Sequence, residues 1–134
     1  MRLPGVTRRV RSAVADWRQP DPAGLGWLVR DGTVLASVEV PNNRWGRGVG
    51  LLGRNGIEGA LLIRRARSVH SFGMRFDLDV AFLDRDGRII RMVRLRRWRL
   101  TAPVWRAKAV IEAEAGAFGL WELQIGDVVE VRVA

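Results

Sequence analysis

Residues 68–87 read SVHSFGMRFDLDVAFLDRDG. Within this stretch Leu78–Leu83 is an apolar run broken by a single carboxylate, Asp79, and it leads into the turn dipeptide Asp86-Gly87. A short apolar run bounded by turn signals is the pattern of a buried strand. A second apolar segment, Arg88–Leu95, follows at once, so 78–95 reads as a hairpin, Asp-Gly being a pair in which both turn positions tolerate positive φ. Upstream, Ser68–Phe72 also reads as a strand, with His70 and Phe72 on one face and Ser71 on the other. Gly73 marks a bend before Met74.

The same alternation of short strands and turns extends outward. Trp27–Arg30 and Thr33–Val40 flank Asp31-Gly32, a second hairpin signal, and Pro41 stops the second of these strands. Ala60–Ile63 and Lys108–Ala113 are further strands, and Gly126-Asp127 turns into a last one, Val128–Val133. Two short helices are expected. One is capped by Asn42 or Asn43 and runs through Leu52, and the other covers Gly116–Leu123, with Phe118 and Trp121 on one face. These elements predict a mainly β fold: a compact, antiparallel, barrel-like single domain over residues 26–134.

Residues 1–25 form a basic N-terminal tail, disordered or a short amphipathic helix, with Val6, Val10, Ala13, Val14 and Trp17 at roughly helical spacing. Pro20 and Pro22 end any such helix. Gly48-Val49-Gly50-Leu51-Leu52-Gly53 matches G-x-G-x-x-G in form only. No strand directly precedes it, and Asn55-Gly56 follows before a full helix can form.

Composition sets further limits. A chain of 134 residues is one domain, and the absence of cysteine excludes disulfides, thiolate nucleophiles and thiolate zinc sites. The formal net charge is +9, carried by 22 Arg and one Lys, Lys108. Such a balance fits polyanionic partners, although residues 1–20, with five Arg and one Asp, hold +4 of it. No apolar stretch is long enough to span a bilayer, and Arg11, Asp16 and Arg18 interrupt any signal-peptide core, so a cytoplasmic protein is expected.

From Trp27 onward the chain resembles the DUF192 family of small proteins. The resemblance is carried by Arg47–Arg54 (RGVGLLGR), by Gly59-Ala60-Leu61-Leu62-Ile63, by the block Val69–Phe76 followed by Leu78–Leu83 and Asp86-Gly87, by Val110-Ile111-Glu112-Ala113 with Ala115-Gly116, and by Gly126-Asp127. Asp77 stands where family members often have proline, and residues 1–25 lie outside the resemblance. The resemblance implies a small β-rich fold and brings no established activity or cofactor.

The residues themselves offer two candidate sites. Asp79 and Glu112 are carboxylates set in apolar strands, where a charge must be paired or hydrogen-bonded. With His70, and with Arg75 and Met74 nearby, they define an expected polar cleft for a small ligand or a protein partner. One imidazole and two carboxylates also suit a hard or borderline metal ion or acid–base work, which is the basis of a hydrolase reading. No His-x-His or Glu-x-x-His spacing supports it, and Ser71 adjoins His70 and diverges from it on a strand. No metal or other cofactor is therefore assigned. The second candidate is 91–99, read as an Arg/Trp-rich strand with Arg94, Arg96 and Trp98 alternating on one face. Arginines interleaved with an aromatic suit a nucleic acid or another polyanion. The same arginines also serve a bland purpose, shielding an edge strand or packing over Trp98. The reading placed first is a non-enzymatic binding or accessory module using the His70 cleft. The polyanion face comes second and the enzyme third.

Overall fold

The computed structural model describes residues 24–40 and 58–133. The expected tail up to residue 23 and the expected helix through Leu52 lie outside these residues, while Gly24 and Leu25, placed in the tail, belong to the first strand. Among them are seven strands: β1 (Gly24–Arg30), β2 (Thr33–Val40), β3 (Ala60–Arg64), β4 (Leu78–Leu83), β5 (Ile89–Leu95), β6 (Ala109–Glu114) and β7 (Glu130–Val133). One helix, α1, spans only Ala117–Leu120, shorter than the expected Gly116–Leu123.

The strands form one sheet in the order β5-β4-β6-β3-β2-β1-β7. The mainly β expectation holds, while barrel-like describes the sheet only loosely. β5 and β7 are its two edges, and the turn leading into β7 is bonded to the start of β5. There the Ile89 N–H donates to the Asp127 carbonyl (2.8 Å), the Gly126 N–H to the Ile89 carbonyl (2.8 Å) and the Val129 N–H to the Gly87 carbonyl (2.9 Å). All neighbours are antiparallel except β2 and β3, which pair in parallel. The connection between that pair runs from residue 41 to 59, long enough for the crossover that a parallel neighbour requires.

Local chemistry accounts for the turns. Asp31 and Gly32 join β1 to β2 with φ of 51° and 78°, the doubly positive conformation of a two-residue hairpin turn. In the second hairpin Asp84 accepts the N–H groups of Asp86 and Arg88 on Oδ1, at 2.9 and 3.0 Å, and Gly87 takes a φ of 82°. Gly59 enters β3 with φ 69°, and a Cβ there would collide with the backbone carbonyl of Ser37. Only glycine fits so close a backbone approach.

Both faces of the central strands are covered, which is why every residue of β4 is buried and no polar alternation shows in it. The concave face packs Leu28, Val38, Leu62, Leu83, Ile111 and Val131 under Phe118 and Leu123. The other face packs Leu61, Ile63, Val80, Phe82 and Val110 under Val69, Met74, Phe76 and Ala107. The second cover consists of the irregular segments 65–77 and 96–108. The strand expected over Ser68–Phe72 is reduced to an isolated bridge between His70 and Leu100. The strand expected over 91–99 stops at Leu95, and residues 97–98 form a turn. That turn is imposed by bonds to Ser71 and Asp77.

Candidate functional site

Register decides the fate of the expected cleft. Asp79 on β4 lies opposite Ala113 on β6, whereas Glu112 lies opposite Val80. Successive side chains alternate across a sheet, so Asp79 and Glu112 project from opposite faces. The cluster expected around His70, Asp79 and Glu112 therefore does not assemble as one cleft. Glu112 is fully buried, beside Leu61 and Val80.

Asp79 is occupied in holding the fold together. Its Oδ1 accepts from Arg94 Nε at 2.7 Å, and its Oδ2 accepts from the N–H groups of Gly116 (2.9 Å) and Phe118 (3.1 Å). The carboxylate thus ties the turn into α1 to the start of β4, supplying from a distant strand the acceptor that a cap residue would ordinarily provide. Met74 is buried in the core under the outer face, and Arg75 is exposed. Among the described residues, no group of three or more His, Asp or Glu side chains converges as a set of metal ligands.

The second candidate gains definition. Ser71 is buried, and its Oγ donates to the Arg96 carbonyl at 2.5 Å while accepting from the Arg99 N–H at 3.0 Å. The Ser71 N–H donates to the Arg99 carbonyl (2.9 Å), and its own carbonyl accepts from the N–H groups of Trp98 (3.2 Å) and Met74 (3.1 Å). The Arg97 N–H goes to Asp77 Oδ1 at 3.0 Å. Three consecutive amides, 97 to 99, are thereby fixed, and Trp98 is held at φ 61°. A bulky residue in that conformation is strained and persists only because its surroundings determine it. A few residues on, Thr101 and Val69 exchange bonds through the Thr101 Oγ1 and both backbones.

The strained turn displays its side chain to solvent. Trp98 is 62% exposed and Phe72 46%. Their ring centroids are 6.3 Å apart, and Phe72 in turn stacks on His70 at 5.1 Å with planes 20° apart. His70 and Phe72 are thus side by side at the surface with Ser71 turned inward, the alternation read from sequence. Beside this aromatic row lies a concavity of about 330 Å³ between β5 and residues 99–102, with Arg91, Arg94, Arg96 and Arg99 on its walls. Arg94 reaches the Asp79 carboxylate and Arg99 Nη1 donates to the Trp98 carbonyl at 3.4 Å, while Arg91 and Arg96 are exposed on the walls. From residue 88 to 108 the chain holds Arg88, Arg91, Arg94, Arg96, Arg97, Arg99, Arg106 and Lys108 and no acidic residue. Sequence reading finds Arg94, Arg96 and Trp98 but gives Ser71 no role beyond that of an excluded nucleophile. A serine inside an aromatic block is the available signal of a buried hydrogen-bonding hub.

The model of the DUF192 family, described as "Uncharacterized ACR", matches residues 27–131. The chain belongs to the DUF192 family. Among curated proteins, a UPF0127 protein of Pyrococcus abyssi is 33% identical over 98 residues, covering 69% of this chain and 84% of that protein. A UPF0127 protein of Thermococcus sibiricus is 35% identical over 66 residues, 49% of this chain and 43% of its own length. The DUF192 fold is also met in two solved structures. One is a proposed transcription regulator from Sinorhizobium meliloti, with TM-score 0.62, 21% identity and coverage of 80% and 92% of the two chains. The other is a protein of unknown function from Novosphingobium aromaticivorans, with TM-score 0.63, 18% identity and coverage of 79% and 82%. At these identities the two structures establish the fold alone. Among the described residues no helix is long and apolar enough to cross a membrane.

Proposed function

We propose that this DUF192 chain is a non-enzymatic binding module that holds a polyanion on the arginine face between β5 and residues 96–102. The observation that carries the reading is the concavity of about 330 Å³ lined by Arg91, Arg96 and Arg99, whose guanidinium groups are not taken up by Asp79, in a stretch of chain without a carboxylate. Guanidinium groups bind phosphate oxygens bidentately and displace condensed counterions, and counterion release dominates the affinity for phosphate polymers. The alternative of an acid–base site has less support, because both oxygens of Asp79 already accept hydrogen bonds from the protein.

Calorimetric titration with inorganic polyphosphate tests the proposal. Binding is expected to weaken linearly on a plot of log affinity against log salt. The paired substitution of Arg96→Gln and Arg99→Gln is expected to lower that slope by roughly two, about one for each guanidinium taken away from a phosphate. No binding at low salt, or a slope unchanged in the double variant, refutes it.

A further inference from the structure

We infer that the polyanion is a single-stranded nucleic acid whose bases stack on Phe72 and Trp98 while Arg91, Arg96 and Arg99 take its phosphates. The inference rests on the polyanion reading and deepens it, since the arginines alone would suit any polyphosphate.

Two observations separate the aromatic row from an ordinary surface. The first is its position. Phe72 and Trp98 turn large ring surfaces to water, and two of the arginines that line the concavity, Arg96 and Arg99, sit two residues before and one residue after Trp98. A base and its neighbouring phosphate lie a few ångströms apart, so one nucleotide reaches a ring and a guanidinium together. The second is the backbone. The other described non-glycine residues at positive φ are Asp31, Arg65 and Glu122, all polar. Trp98 is the one aromatic among them, and the fold fixes it there through bonds from the amides of residues 97, 98 and 99 to Ser71 and Asp77. Glycine would satisfy that turn without strain. A strained turn that presents a half-exposed tryptophan is accounted for by what the ring touches, not by what it does for the core. Stacking requires a free π face, which a duplex keeps inside its own stack and polyphosphate lacks altogether. The inferred ligand is therefore single-stranded, DNA or RNA.

The test compares ligands and variants by fluorescence anisotropy on the full chain. Labelled oligo-dT and oligo-rU are measured with unlabelled duplex, polyphosphate and polyglutamate as competitors. One or both oligonucleotides should bind at least about tenfold tighter than polyphosphate of equal charge, the ratio between the two naming the preferred sugar. Trp98→Gly should weaken oligonucleotide binding roughly ten- to hundredfold, the loss of one base stack, and leave polyphosphate affinity and salt slope unchanged without lowering the melting temperature. Phe72→Leu, which keeps an apolar side chain without a π face, serves as a second variant and should lose binding in the same sense. Equal affinity for polyphosphate and oligonucleotide, equal affinity for duplex and single strand, or indifference to both substitutions overturns the stacking inference and leaves the polyanion reading standing. Tighter binding of polyglutamate overturns it in favour of an acidic protein partner. Absence of binding to every one of these polymers removes both readings together.

Discussion

Asp79 and Arg94 form an ion pair of unequal members. Asp79 is buried and accepts two further bonds from the turn into α1, while the Arg94 side chain is 58% exposed and can turn to water. The two halves should respond differently to truncation. Asp79→Ala leaves the buried Phe118 amide without its acceptor and is expected to destabilise by about 2–4 kcal/mol. Arg94→Met keeps the apolar stem and loses only a largely solvated charge, so its effect should stay below about 1 kcal/mol. Urea unfolding of both variants measures the asymmetry. Equal losses would mean that the pair itself, and not the tether to α1, carries the stability. Sequence reading correctly sees that an aspartate within Leu-Asp-Val-Ala-Phe needs partners. It cannot see which, because the choice depends on register. A shift of one residue between β4 and β6 would have put Asp79 beside Glu112, and the observed pairing with Ala113 puts them on opposite faces.

At the scale of elements, legibility follows local chemistry. Both Asp-Gly hairpins are readable because the turn residues dictate the backbone without help from the rest of the chain. The segment 96–99 is not, since Arg94, Arg96 and Trp98 alternate as a strand would and no Gly, Pro or Asn marks the turn. The turn is made by Ser71, some 25 residues earlier in the chain. Gly59 lies between these cases. Sequence marks it as a glycine before an apolar strand, and its reason is tertiary: the approach of the Ser37 carbonyl in β2. Gly59→Ala is expected to destabilise by at least about 2 kcal/mol, from the left-handed conformation and the collision together. Because the obstacle includes backbone, adding Ser37→Gly should not restore stability. Recovery in the double variant, measured by denaturant midpoint, would show that the side chain of Ser37 alone was at fault.

At the scale of the whole molecule, the short seam between the start of β5 and the turn into β7 is expected to open without global unfolding. Asp127 organises it: Oδ2 accepts from Arg30 Nη1 on β1 and from the Gln124 N–H, each at 3.0 Å, while its carbonyl accepts from Ile89. Asp127→Ala is expected to lower global stability by about 1–2 kcal/mol, given the partial exposure of the pair. Its sharper effect should be local, with the amides of Ile89, Gly126 and Val129 exchanging hydrogen faster relative to those of β6. Uniform acceleration across the sheet would contradict a separately opening seam.

The pairing of β7 with β1 also has a consequence for biosynthesis. Gly26 lies opposite Val133, and Val129 and Val131 fill positions in the concave core. β1 is thus made well before the strand that becomes its outer neighbour. Until β7 emerges, the nascent sheet has an unpaired edge along β1 and two missing core side chains. Chain closure across such a sequence separation is slow. The final fold should therefore form only once β7 has left the ribosomal tunnel, and not progressively during translation.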